Sequence, residues 1–238
     1  MTSKEKRKIA NFLDVARDFI GSGYKSAGNQ YQFEDDAVLS PAAPPIITPK
    51  IDDSLDKIAL EIKSCGDCSL CERRLNAVPG EGVEKPLVMV IGEGPGEDED
   101  KQGRPFVGRA GQLLDKMLSS IGLSRESNAF IANVVKCRPP NNRNPRPEET
   151  AACARFLKRQ IFVLKPRFIL SAGRVSASTL LNTTESIESL HGKFKEYISG
   201  DDVYPLLVTY HPAALLRKEE YKRPAWEDLK ILRSKMES

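Results

Sequence analysis

The sequence predicts an α/β domain: a four-stranded parallel sheet flanked by helices on both faces, in three α/β/α layers. Three observations predict it. Four short apolar runs read as buried strands, helix-periodic stretches separate them, and every conspicuous motif follows directly after one of those runs. With 238 residues, 40% apolar and 29% charged, the chain is long enough to bury one substantial core.

Residues 4–21 carry Ile9, Phe12, Leu13 and Ala16 at helical spacing with lysines and arginines between them, so a short amphipathic helix is expected there. From Gly21 to about Pro49 the chain is rich in Gly, Ser, Ala, Pro and Gln without periodicity, the composition of a disordered linker. Residues 1–50 are therefore read as helix plus linker, and 51–238 as the folded domain. Asp53 or Ser54 is placed to cap a helix whose apolar face runs through Leu55, Ile58, Ala59 and Ile62. Strands are expected at Leu87 to Ile91, Phe130 to Val135, Phe168 to Ala172 and Leu206 to Tyr210. Helices are expected from about Ala110 to Ile121 and from Pro147 to about Val163. Proline at the start of the second, followed by Glu148 and Glu149, suits the first turn and the positive end of the helix dipole.

Ligands of open parallel sheets sit beyond the carboxyl ends of the strands. There the chain places Gly92-Glu93-Gly94-Pro95-Gly96-Glu97, then Cys137-Arg138-Pro139-Pro140, Gly173-Arg174 and His211-Pro212. The glycine-rich turn is neither a phosphate-binding Walker loop nor a dinucleotide fingerprint. Five of the eight residues from Glu93 to Asp100 are acidic and would repel a triphosphate, so the turn suits chemistry on a base or sugar better. Asp98, Glu99 and Asp100 are read as a solvated acidic face.

No apolar run approaches the ~20 residues of a bilayer span, and the N-terminus lacks a secretory apolar stretch, so a cytoplasmic protein with no membrane partner is expected. The net charge of +3 permits a nucleic-acid partner without demanding one. From Lys136 to Arg174, however, there are ten Lys or Arg and two Asp or Glu, a local basic face beside the expected pocket.

Five cysteines in a reducing compartment point to metal binding more than to disulfides. Cys65 and Cys68 form a Cys-x-x-Cys pair and Cys71 follows, whereas Cys137 and Cys153 flank a proline-rich loop. A zinc site of this kind usually has two tight pairs; the wide second spacing favours an iron–sulfur cluster. Cys71 reads as a spare thiol able to replace one of the others.

Three segments, 92–114 (GEGPGEDEDKQGRPFVGRAGQLL), 133–153 (NVVKCRPPNNRNPRPEETAAC) and 210–217 (YHPAALLR), together with the Cys65 and Cys68 pair, resemble the family 4 uracil-DNA glycosylases. The resemblance runs from about Cys65 to Leu232. It implies a glycosylase that flips uracil out of DNA and hydrolyses its N-glycosidic bond, leaving an abasic site for base excision repair. It also implies a structural [4Fe–4S] cluster on Cys65, Cys68, Cys137 and Cys153. Phe106 matches the ring that stacks on the extruded base, Asn133 the amide that reads its edge, and Gly94 a backbone contact to it. His211 matches the donor to O2 of the leaving uracil, where negative charge grows. Glu93 matches the acidic position that orients water or stabilises the sugar cation, with Glu97 the competing catalytic carboxylate. Other uracil glycosylase families exclude thymine with a tyrosine where this chain has Gly96, so a neighbour such as Glu97 is expected to block the 5-methyl group. Leu215 matches the apolar wedge that fills the gap left by the flipped base, and Arg217 a phosphate contact. His191 is assigned a structural role at a strand end.

A monomer acting on uracil-containing DNA is expected, with the N-terminal extension a tether to a protein partner. The alternative reading is a non-catalytic iron–sulfur DNA-binding module; intact Glu93, Asn133 and His211 argue against it. A relative that bonds covalently to the abasic sugar would need an extra histidine-bearing loop after the second strand, and Asn141-Asn142-Arg143-Asn144 supplies none.

Overall fold

The computed structural model describes residues 53–238; the expected N-terminal helix and linker lie outside the described residues. Helix α1 (Leu55–Ser64) starts where the Ser54 hydroxyl accepts a hydrogen bond from Lys57 N at 3.3 Å, and it buries Ile58 and Ile62. Then come β1 (Glu81–Gly82), β2 (Val88–Gly92), α2 (Glu97–Gln102), α3 (Arg109–Ser119), β3 (Ala129–Asn133), α4 (Pro147–Leu164), β4 (Phe168–Ala172), α5 (Arg174–Leu181), α6 (Ile187–Leu190), β5 (Phe194–Ser199), β6 (Asp202–Thr209), α7 (Pro212–Arg217) and α8 (Lys222–Glu237).

The sheet has six strands in the order β1-β3-β2-β4-β6-β5, not the four expected. The parallel strands β3, β2, β4 and β6 are the four apolar runs, and an antiparallel strand is added at each edge. β1 is two residues long and contains no apolar side chain, so it left no pattern to read. β5 is a half-exposed edge strand turning into β6 through Gly200, and β6 begins four residues earlier than its apolar run.

Alternation along the strands builds the layers. Met89, Ile91, Ala132, Ile169, Leu206 and Val208 face one way and pack with Ile58 and Ile62 of α1 and Phe156, Leu157 and Ile161 of α4. Val88, Val90, Ile131, Leu170 and Leu207 face the other way and pack with Leu114 and Leu118 of α3 and Leu229 and Leu232 of α8. Cover on both faces explains why every residue of β2, β3 and β4 is buried. Each such Val, Leu or Ile stabilises the fold by about 1.5–3 kcal/mol relative to exposure. The carboxyl ends of β2, β3 and β6 consequently open onto one edge, where Glu93, Asn133 and His211 lie.

Candidate active site and cysteine cavity

The loops at that edge enclose a cleft of about 320 Å³, and Glu93, Gly94, Phe106, Asn133, His211 and Arg217 all line it. Asn133 ends β3 only 2% exposed, and its Oδ1 is buried without a hydrogen-bond partner. A buried acceptor left unpartnered costs about 1–3 kcal/mol, a cost that a donor from outside the chain would relieve. Beside it Gly92 is obligatory. A Cβ there would lie 2.5 Å from both Asn133 Oδ1 and the Phe106 ring, so only glycine lets ring and amide converge.

Phe106 adopts φ 51°, a conformation that costs a non-glycine residue about 1–3 kcal/mol. Arg125 holds it there, donating to Pro105 O and Phe106 O, each at 3.0 Å, while pairing with Asp115 at 2.7 Å. The ring then sits 5.5 Å from that of His211, tilted by 32°. His211 precedes α7, and its Nδ1 accepts from Ala213 N at 3.1 Å. Accepting at Nδ1 fixes the tautomer with the proton on Nε2. Burial pushes the imidazole pKa down to about 4, and the charge of Arg217 pushes the same way. At neutral pH His211 is therefore an uncharged Nε2–H donor. Glu93 behaves oppositely: burial raises its pKa, against the pull of Arg174 and Arg217.

Two expected site residues are placed elsewhere. Glu97 opens α2 with its side chain outside the cleft, bonded to Lys101 Nζ at 2.6 Å and facing Arg138 at 3.5 Å. The hydrogen bond and charge of Lys101 lower its pKa, and its side chain is not among those lining the cleft. Leu215 is 3% exposed, packed in the cluster of Tyr210 and Ala225; its neighbour Leu216 is 43% exposed. Helical phase explains the swap, because consecutive residues of α7 point about 100° apart. His191 caps α6 and bonds Asp228 at 3.0 Å, and Thr209 donates to the same carboxylate at 2.7 Å, fixing the end of β6.

The acidic run is not a solvated face. Glu99 accepts from Gly96 N at 3.0 Å, Val107 N at 2.8 Å and Gly108 N at 2.9 Å, joining the glycine-rich turn to the Phe106 turn. Asp100, 2% exposed, accepts from Leu75 N at 2.9 Å and Asn76 N at 3.2 Å. Only Asp98 of the three is exposed. A carboxylate three residues after a helix-capping glycine was the available signal.

Cys65, Cys68, Cys71, Cys137 and Cys153 line a single cavity with Ile62, Phe156, Arg74 and Lys136. Among the described residues no group of three or more His, Cys, Asp or Glu side chains could hold one metal ion. A cluster that takes each thiolate on a separate iron makes a different demand: several thiols around a small apolar cavity. The donor set fits such a group. Arg74 donates to Cys137 Sγ at 3.0 Å and Lys136 N to Cys153 Sγ at 3.3 Å. Without metal, burial pushes Cys153 up to about 11 and raises Cys68 and Cys137. Lys136 is wholly buried, which lowers its pKa to about 8, and the charges bearing on it are those of Cys153 and Cys137. A buried ammonium with thiolates as its counter-charge belongs beside an anionic centre.

The uracil DNA glycosylase superfamily model matches residues 79–230. The chain is 48% identical over 180 residues to a type-4 uracil-DNA glycosylase of Pyrobaculum aerophilum, covering 74% of this chain and 91% of that one. It is 45% identical over 186 residues to the type-4 enzyme of Sulfurisphaera tokodaii, covering 76% and 84%, and 43% identical over 183 residues to that of Thermotoga maritima, covering 76% and 93%. The matched span carries the cleft, and the chain belongs to the uracil-DNA glycosylase superfamily, in its type-4 branch.

Proposed function

We propose that this chain is a monofunctional uracil-DNA glycosylase whose cleft takes an extruded uracil and hydrolyses its bond to deoxyribose. The observation that carries the reading is the buried, unpartnered Asn133 Oδ1 beside the Phe106 ring. An extruded base loses stacking worth a few kcal/mol, which an aromatic face and a matched polar edge restore. Asn offers one acceptor and two donors; uracil presents N3–H and O4 side by side. Gly94 brings its backbone to the same edge.

Bond breaking sends the electron pair of the C1′–N1 bond into uracil, and charge grows on O2. Neutral His211 donates from Nε2 to that oxygen without giving up a proton. The Glu93 carboxylate takes a proton from the water whose oxygen bonds to C1′; uracil leaves as its anion, an abasic deoxyribose results, and solvent carries the proton from Glu93 to uracil N1. Arg217 contacts a phosphate at the rim. Leu216, the exposed leucine of α7, takes the wedge role expected of Leu215. Glu97 being out of reach, exclusion of the 5-methyl group falls to residues lining the cleft, among them Pro95 and Gly96 of the same turn.

A [4Fe–4S] cluster on Cys65, Cys68, Cys137 and Cys153 would tie the cysteine loop to the loop after β3 and to α4, and it supplies no electron to the reaction. Residues 1–50 tether the enzyme to a protein partner; their deletion with unchanged stability, activity and partner recovery would remove that role. The test of the whole reading is an oligonucleotide with one uracil and full-length protein purified without oxygen, its iron measured alongside. Alkali-dependent scission at uracil but not thymine, with four irons per chain, is expected. An intact strand despite full iron would favour a binding module without catalysis.

A further inference from the structure

Three residues separate the base-reading amide of Asn133 from the first buried thiol, Cys137, and the structure ties down that whole segment. Val134 N donates to Gly92 O at 3.0 Å and Val135 N to Glu93 O at 3.1 Å, continuing the sheet past the end of β3. Lys136 N reaches Cys153 Sγ, and Lys136 O accepts from Val78 N at 2.7 Å. The Lys136 side chain then folds back. Its ammonium donates to Asn133 O at 2.8 Å and to Gln160 Oε1 of α4 at 2.7 Å, and Gln160 Nε2 donates to Pro79 O at 2.7 Å.

Lys136 is 1% exposed, so it reaches neither DNA nor solvent. An ammonium is a costly choice for a core position that methionine would fill. What a methionine could not do is hold the Asn133 carbonyl and the Gln160 amide at once.

We infer that Lys136 is a positioning residue for base recognition: bridging Asn133 O to Gln160, it fixes the reading amide relative to the cysteine-bearing segments. The state of the cysteine cavity is thereby transmitted to uracil binding through the three residues between Asn133 and Cys137. The inference rests on the uracil-release reading above. Misplacing a reacting group by about 1 Å can cost on the order of a hundredfold in rate.

The test uses full-length Lys136→Met and Gln160→Met, each purified without oxygen and compared with wild type. Iron content, visible absorbance, calorimetric affinity for free uracil and single-turnover release from DNA are measured. Expected for the iron-loaded variants is affinity for undamaged DNA as in wild type, with uracil affinity and single-turnover rate both reduced roughly ten- to a hundredfold. Gln160→Met, which leaves Lys136 in place, gives the smaller loss and carries the test if Lys136→Met does not fold. Iron-loaded variants that bind and release uracil like wild type would overturn the inference, as would losses that track lost iron alone. Wild type that binds free uracil yet releases none from DNA would sink the uracil-release reading and leave the affinity comparison standing.

Discussion

At the residue scale, the division of work proposed for His211 and Glu93 rests on surroundings that shift their pKa values in opposite directions. Desolvation favours the neutral form of both groups: it keeps the imidazole uncharged and raises the carboxyl, while the charges of Arg174 and Arg217 favour the Glu93 carboxylate. His211→Ala removes a preorganised donor and is expected to lower the single-turnover rate about 100- to 1,000-fold without loss of fold. On the proposed mechanism the acid limb of the rate profile belongs to Glu93. Its raised pKa means activity rises with pH through a value above the ordinary glutamate 4.5. Glu93→Gln should abolish that limb and slow release roughly 100- to 10,000-fold; a variant that keeps it would give the titration to another group. His211 titrates near 6.5 unfolded and about 4 folded, so the unfolded chain takes up protons first and stability drains as pH falls from 6.5 to 4. Glu149, held down to about 2 by Arg143, adds a loss below 4.5. Thermal melts of wild type and Glu149→Gln across that range read both.

At the scale of elements, two carboxylates hold the site loops together. Glu99 ties the glycine-rich turn to the Phe106 turn through three backbone amides. Glu149 caps α4 at Arg146 N at 2.7 Å, pairs with Arg143 at 2.6 Å and accepts from Ser69 beside Cys68 at 3.3 Å. Glu99→Ala strands those amides and frees Phe106 from its strained turn, at an expected cost of about 1–3 kcal/mol in stability. Uracil release should fall further than that destabilisation explains, and equal loss in fold and activity would reduce Glu99 to a structural role. The wedge is tested on α7: Leu216→Ala should lower release from duplex DNA by about tenfold or more and spare single strands, whereas Leu215→Ala should cost stability as a core truncation does. Much of this level was legible in the residues. Four central strands, α1, α3 and α4 announced themselves by apolar periodicity. β1 and β5 did not, since an edge strand needs no continuous apolar run. Glu99 and Asp100 were hidden because an acidic run at a helix start looks solvated until the loops it binds are in place. Leu215 and Leu216 differ only by helical phase, which a six-residue helix after a proline does not reveal.

For the whole molecule, the sheet sets out two centres joined by one segment. The cleft gathers residues from the ends of three strands, and their order in sequence, Glu93, Asn133 and His211, was enough to place them on one edge. The cysteine cavity lies against the same β3 loop, so removing the cluster proposed for it should disturb base recognition as well as stability. Chelation under mild oxidation is expected to lower the melting temperature and weaken uracil affinity together; unchanged affinity in an iron-free, folded protein would separate the centres. Among the described residues no helix is long and apolar enough to cross a membrane. Base reading by Asn133 is tested by the single-turnover rate of uracil release by Asn133→Ala from DNA containing one uracil, against wild type. A fall of about a hundredfold or more is expected, with the fold and the iron content of wild type retained; release at the wild-type rate would mean that the cleft reads its base by other groups.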